Sequence, residues 1–530
     1  MTALQWIPFL ILISVAEGAN ILVTAPFPGS HYFALSDIGY LLAKQGHHVT
    51  FVSLILDNRH KVQHENFKLV QPFWQILTEK EFDDIVYNCV AEITEADRDE
   101  YMYTDTMVSN EVCREGWEVL YRKFIDYYTS DPFLALVKEE KLDLIIAEER
   151  TAIPILAVTN DFDIPLAAYI PEVEYSKVKE VQNLPMFLCS EPGLAIQIFN
   201  GEKPGFWQRL YAMYNLMSGG TKLQYAIEKM LQPIYDKYGI ESTQVLEGRI
   251  QLFILNDHPA FSFPYLTPNN VVQVGGSSLK EGKPITGDFK VFVEKQTGPI
   301  VLVSMGTYLD LVWLKWHTTL LEVLEESKLS VILKVNADTA HKLPKLSERF
   351  YTSSWIPQRD LLASGKIKLF ISHCGNNGKI ETIFYKVPVL CTPVFAEQVI
   401  NGESVQYRGF GEMILPSKMT NVNLKKMLDK MIQEYDKYHT QMSKAVDIFL
   451  TEPASGKETM LYYLNLLLNH RNLDYLVNQI IKQQNFIEMY HLDLIFVVIL
   501  ITALVLYLIF KIAYHGVVKF IFHKSHDKQE

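Results

Sequence analysis

Ser372–Gln398 reads SHCGNNGKIETIFYKVPVLCTPVFAEQ, and the fold turns on this stretch. Just before it, IKLFI at Ile367–Ile371 is the apolar run of a buried strand. From Gly378 to Tyr385 the pattern is that of the first turns of a helix. A histidine, glycines, asparagines and a glutamate therefore cluster at a strand-to-helix turn. Open α/β sheets place their ligands at such turns, where the carboxyl ends of strands meet helix starts.

Working outward, the same alternation surrounds the stretch. IVLVSMGT (Ile300–Thr307), a helix through Leu314–Glu326, SVILKVN, KLFISHCG and VPVLCTP form one α/β series. A second series opens the chain. ILVT at Ile21–Thr24 leads into the loop APFPGSH, a helix with Phe33, Leu35, Ile38, Leu41 and Leu42 on one face, and the strand HHVTFV. This is a βαβ unit, the opening of a doubly wound fold. Further strands are expected at Phe67–Val70, Leu142–Ala147 and Ile164–Ala168, and Ile170 to Gly220 reads as an aromatic-rich apolar wall. Between the two series, Pro259–Asn270 holds three prolines and two asparagines and reads as a linker. The expected layout is a domain over 19–258, the linker over 259–270 and a second domain over 271–470. Two such domains in series leave a cleft between the carboxyl ends of their sheets, with His31 on one wall and Ser372 on the other.

The ends carry targeting signals. MTALQWIPFLILISVAEG has an apolar core and small residues at Ala16-Glu17-Gly18, the pattern of a secretory signal peptide over 1–18, although no basic residue precedes the apolar run. After a juxtamembrane segment over 471–493, Leu494–Phe510 is free of charge, and Ile512–Tyr514 extends it into a span over 494–514. Leu494–Phe510 alone is roughly 26 Å of helix, close to the hydrocarbon thickness of a bilayer. Lys511, Lys519, Lys524 and Lys528 follow, against Lys482 alone in the roughly twenty residues before it, so the tail over 515–530 is expected in the cytoplasm and the rest in a lumen.

The 530 residues, 48% hydrophobic and 21% charged, make an ordinary globular composition apart from these ends. A net charge of -12 without a basic stripe argues against a nucleic-acid partner. The five cysteines are odd in number and widely spaced, with neither zinc spacing nor a disulfide framework. Cys89 and Cys113 read as buried free thiols, with pairing in an oxidising lumen as the alternative. Ala91–Glu100 (AEITEADRDE) reads as a solvated helix face.

WIPQRDLLASGKIKLFISHCGNNGKIETIFYKVPVLCTPVFAEQVIN, Trp355–Asn401, resembles the signature of the UDP-glycosyltransferases. That signature runs W-x-P-Q, H-[GC]-G-x-N-[SG]-x-x-E, G-V-P and P-x-x-[GAS]-[DE]-Q-x-x-N. The likeness extends to GSH after the first strand, SMGT opening the second series and the terminal span, and is nearest the membrane-bound animal UDP-glucuronosyl- and UDP-glucosyltransferases. It implies the GT-B fold, two facing Rossmann-like α/β domains. It also implies a cradle for the UDP-sugar co-substrate, with no other cofactor and no metal. Trp355 would stack on uracil, Gln358 contact uracil and ribose, and Glu381 accept the ribose hydroxyls. His373, Gly375, Asn377 and Gly378 would hold the diphosphate at a helix start, with Ser304, Gly306 and Thr307 beside them. Glu397 and Gln398 would bind the sugar.

By the same resemblance, His31 is the general base that takes the proton of an acceptor hydroxyl. The family sets an aspartate behind it, and that position falls here on Glu148, with Glu149 as the fallback. The expected reaction inverts the anomeric centre, moving glucose or glucuronate to a small lipophilic acceptor at the endoplasmic reticulum membrane. Two departures stand out: glutamate for aspartate at 148, and Lys386 where glycine usually precedes Val-Pro. They support an alternative, a non-catalytic UDP-sugar-binding membrane protein that partners an active relative. Cys374 in place of the more usual glycine is a variation also found in parts of the family. Singly, each site residue could be core or solvated surface; the family spacing is what joins them.

Overall fold

The computed structural model describes residues 18–526 except 56–61, 71–77, 96–110, 172–204, 208, 211–220, 265–266, 308 and 395–396. The expected signal peptide, the acidic residues 96–100, Cys189 and most of the aromatic-rich wall after Ile170 lie outside the described residues.

Thirteen strands form two parallel sheets among the described residues. The first comprises β1 (Asn20–Ala25), β2 (His48–Ser53), β3 (Phe67–Val70), β4 (Leu144–Glu148), β5 (Leu166–Ile170), β6 (Ile250–Leu255) and β7 (Val271–Gln273), in the order β3-β2-β1-β4-β5-β6-β7. The second comprises β8 (Ile300–Ser304), β9 (Ser330–Lys334), β10 (Phe350–Ser353), β11 (Ile367–Ser372), β12 (Val389–Cys391) and β13 (Gly411–Met413), in the order β10-β9-β8-β11-β12-β13. Helices cover both faces of a doubly wound sheet, so its central strands are apolar throughout instead of alternating. Leu144–Glu148 and Ile300–Ser304 are buried at every position.

Seven helices position the cleft: α1 (Ser30–Lys44), α2 (Glu79–Glu95), α3 (Glu111–Tyr128), α4 (Glu149–Val158), α5 (Asn376–Phe384), α6 (Gln398–Arg408) and α7 (Gly456–His470). The last of these differs from the expected layout. Met460, Leu464 and Leu467 of α7 pack with Ile21, Val23, Leu144 and Ile254 of the first sheet. Val271–Gln273, expected to open the second domain, pairs with β6 of the first sheet. The apolar stripe of a helix shows that it must be buried but does not name the sheet that buries it. The described residues of both sheets belong to one compact unit, and those from Asn478 onward belong to another. The second unit contains α8 (Leu492–His526), of which Leu492–Lys519 is long and apolar enough to cross a membrane.

Two cysteine pairs are disulfides, contrary to the free thiols expected at Cys89 and Cys113. Helices α2 and α3 bring Cys89 and Cys113 to a Cα–Cα distance of 4.6 Å, and Cys374 is bonded to Cys391 at 5.3 Å. Tertiary packing makes each pair adjacent across 24 and 17 residues, which cysteine spacing alone does not reveal.

Candidate functional site

In a doubly wound sheet a crevice opens where neighbouring strands send their connections in opposite directions. In the first sheet that point lies between β1 and β4, whose register sets Thr24 opposite Ala147. The chain leaving β1 enters α1, with His31 in its first turn, while β4 ends at Glu148. The two residues therefore emerge side by side, and His31 Nδ1 is 2.9 Å from Glu148 Oε2. Glu148, not the fallback Glu149, makes this contact. The Glu148 side chain is only 1% exposed, against 20% for His31. With Nδ1 donating to the carboxylate, the Nε2 lone pair of His31 is left for the cleft.

The second sheet has the equivalent point between β8 and β11, where Ser304 lies opposite Ser372. His373 follows Ser372 directly, and its ring is seated between two glycines. A Cβ on Gly306 would lie 2.5 Å from His373 Cε1, and one on Gly375 would lie 2.5 Å from Nε2. Gly306 also has φ +82°, a backbone conformation that favours glycine. Lys334, at the end of β9, donates from Nζ to the Gly306 carbonyl at 2.6 Å. Burial, aided by the Lys334 charge, lowers the His373 pKa to about 4. His373 is thus a neutral donor or acceptor at neutral pH, and Lys334 is a cation of this wall. Beyond it, the N-terminal amides of α5 are the groups that suit an anion.

One cleft of about 600 Å³ joins these walls. His31, Ser304, Gly306, Thr307, Trp355, Gln358, His373, Gly375, Asn377, Gly378, Glu381, Glu397 and Gln398 all line it. Glu148 stands behind His31 and does not line the cleft. Trp355 is 61% exposed, leaving its indole available for stacking. Gln358 Nε2 donates to Glu381 Oε2 at 2.9 Å, joining the two residues expected at the nucleoside. Gln398 Oε1 accepts from the Val394 backbone at 2.8 Å. Burial raises the pKa of Glu381, opposed by the Gln358 hydrogen bond. Burial also raises that of Glu397, opposed by its backbone hydrogen bond and then by the charges of His31 and Arg150.

The wall beside His31 is aromatic. Phe27 packs edge-on to His31 at 5.4 Å and touches Phe82 at 6.1 Å, Trp117 at 5.7 Å and Phe124 at 5.3 Å. Sequence reading did not find these residues, nor Lys334 and Arg150. A lysine closing the apolar strand SVILK was the one available signal; Phe27 sits in the loop before α1, and Phe82, Trp117 and Phe124 sit on ordinary amphipathic helices.

The sequence model of one family, described as UDP-glucoronosyl and UDP-glucosyl transferase, matches residues 19–527. The chain belongs to this family. It is a glycosyltransferase of the class that draws on UDP-sugar donors, and it resembles several animal members at low identity. Human 2-hydroxyacylsphingosine 1-beta-galactosyltransferase is 25% identical, covering 98% of this chain and 92% of that protein. UDP-glucuronosyltransferase 3A1 of Bos taurus is 24% identical, covering 92% and 91% respectively. Solved structures establish the fold. A UDP-glucose: anthocyanidin 3-O-glucosyltransferase in complex with UDP has a TM-score of 0.56 at 17% identity, covering 86% of this chain and 99% of that one. The glycosyltransferase of kitacinnamycin gives 0.56 at 16%, covering 85% and 98%. The architecture of this family member is therefore GT-B.

Proposed function

We propose that this family member is an inverting transferase moving glucose or glucuronate from its UDP-sugar to a hydroxyl of a small lipophilic acceptor. The 2.9 Å contact between His31 and Glu148, facing the UDP-sugar cradle across one cleft, carries this reading. The acceptor hydroxyl rests in the aromatic nest around Phe27 and gives its proton to His31 Nε2. Its oxygen forms the new bond to the anomeric carbon on the face opposite UDP, inverting that centre. The bond from the anomeric carbon to the β-phosphate oxygen breaks, and UDP leaves with the electron pair. Glu148 holds the Nδ1 proton, fixes the ring and stabilises the imidazolium, as the acid of a hydrolase triad does.

At the cradle, Trp355 stacks on uracil while Gln358 and Glu381 take the uracil and ribose. His373, Gly375, Asn377 and Gly378 receive the diphosphate, with Ser304, Gly306 and Thr307 alongside; Lys334 adds a positive charge for the leaving UDP. Glu397 and Gln398 meet the sugar hydroxyls. The two disulfides suit an oxidising compartment. With the uncharged span of α8 and the lysines that follow that span, they support a single-pass protein of the endoplasmic reticulum membrane with its catalytic part lumenal.

Membranes carrying the wild type and His31→Ala, each given UDP-glucose, UDP-glucuronate and UDP-galactose with a panel of phenols and steroids, test the reading. Product from glucose or glucuronate that falls by about 10² to 10⁴ in the variant supports it. Transfer of galactose alone, or turnover indifferent to His31, overturns it.

A further inference from the structure

A buried ion pair lies directly beneath the diphosphate side of the cleft. Lys379, in the first turns of α5, has a side chain with no exposure, and so has Asp257, which follows β6 of the first sheet. Lys379 Nζ is 3.7 Å from Asp257 Oδ1 and donates to Ser262 Oγ at 2.7 Å and Asn401 Oδ1 at 2.9 Å. Ser262 Oγ donates in turn to Asp257. Asn401 Nδ2 donates at 3.0 Å to the carbonyl of Cys374, the residue between His373 and Gly375. One lysine thus ties the exit of β6 to α5, to α6 and, through Asn401, to the loop that seats His373.

The surrounding contacts run the same way. Asn256 Nδ2 donates to Asn377 Oδ1 at 2.8 Å, and Asn376 Nδ2 to the Pro171 carbonyl at 3.0 Å. Arg408, at the end of α6, donates to the carbonyls of Ser262 at 2.8 Å and Pro259 at 2.6 Å. The segment leaving the first sheet is therefore clamped against the start of α5, where a diphosphate would dock.

Burying two charges costs several kcal/mol each, repaid only with close geometry and further hydrogen bonds. Hydrophobic residues of similar size are often as stable, so a buried pair is poor evidence of stabilisation for its own sake. Directional bonds have another effect: they admit one arrangement of the parts they join, where apolar contacts tolerate sliding.

We propose that Asp257 and Lys379 are positioning residues, holding the β6 exit against α5 so that the His373–Gly378 loop is set for the diphosphate of the donor. This rests on the reading of the cleft as a UDP-sugar site, and UDP alone is enough to test it. The purified full chain in detergent is compared with Lys379→Met and with the double variant Asp257→Asn/Lys379→Met. Calorimetry gives the UDP dissociation constant and thermal unfolding gives the midpoint. Lys379→Met strands a buried carboxylate and lowers the midpoint; the double variant, with neither charge of the pair, recovers most of it. The inference expects UDP binding about tenfold weaker in both, including the double variant whose stability has recovered.

A purely structural pair returns UDP affinity to the wild-type value along with the midpoint, and that result overturns the inference. If Lys379→Met does not fold, the double variant decides alone. If neither folds, Ser262→Ala, which keeps both charges, takes their place: unchanged UDP affinity there overturns the proposal, and a loss supports it. Absence of UDP binding by the wild type itself overturns the reading of the cleft and this inference together.

Discussion

His31 Nδ1 and Glu148 Oε2 are 2.9 Å apart across 117 residues of sequence, because β1 and β4 are neighbours in one parallel sheet. The carboxylate is buried and its Oε1 has no hydrogen-bond partner among the described residues, so its charge acts on His31 with little solvent screening. Glu148→Gln keeps the shape but removes the charge that stabilises the imidazolium. Turnover is expected to fall by on the order of 10². Glu148→Asp draws the carboxylate back by a methylene and is expected to cost about tenfold, with the midpoint little changed. Initial rates beside thermal unfolding check both; equal rates in all three proteins refute the dyad.

Gly306 is the seat of His373. A methyl at position 306 meets the imidazole at 2.5 Å and requires an L side chain at φ +82°. Gly306→Ala is expected to destabilise by about 1–3 kcal/mol and to weaken UDP binding about tenfold or more. Calorimetric titration with UDP reads the second effect, and wild-type affinity there shows that the ring does not need this seat.

Lys386 stands at φ +60° where the family pattern has glycine, and Cys374 similarly at φ +63°. The left-handed backbone costs an L residue roughly 1–2 kcal/mol, and a glycine returns part of that gain through its freer unfolded chain. Lys386→Gly is therefore expected to stabilise by about 0.5–1 kcal/mol with unchanged turnover. Chemical denaturation measures it, and a destabilised variant would show that the lysine side chain earns more than its backbone costs.

His373 gives the cleft a pH signature. Its pKa is about 4 when folded, against 6.5 for an ordinary histidine, because burial and then Lys334 disfavour the charged ring. Between those values the unfolded chain binds the extra proton, so stability rises with pH. The contribution is full above pH 6.5, is lost as pH falls towards 4, and amounts to about 3 kcal/mol. Half-buried Glu381 and Glu397 are raised instead by desolvation, so their contribution falls as pH rises above the ordinary carboxylate value. The difference between wild type and His373→Asn isolates the histidine. From pH 4.5 to 7 the wild type should gain more stability than the variant, and a parallel pH response in both proteins rules out the effect.

What the sequence by itself determined is local. Trp355, Gln358, His373, Glu381 and Gln398 fall within one continuous α/β run, so the motif spacing already groups them at one end of the second sheet. The apolar runs at Ile21–Thr24 and Ile300–Val303 identify buried parallel strands, because a doubly wound sheet covers both faces. Tertiary structure decided what spacing cannot encode. It chose Glu148 over Glu149, placed α7 and β7 on the first sheet, paired Cys89 with Cys113, and brought Lys379 to Asp257. A strand's side-chain pattern specifies that it is buried, but not its neighbour in the sheet. The His31–Glu148 contact and the buried ion pair both depend on which neighbour it has.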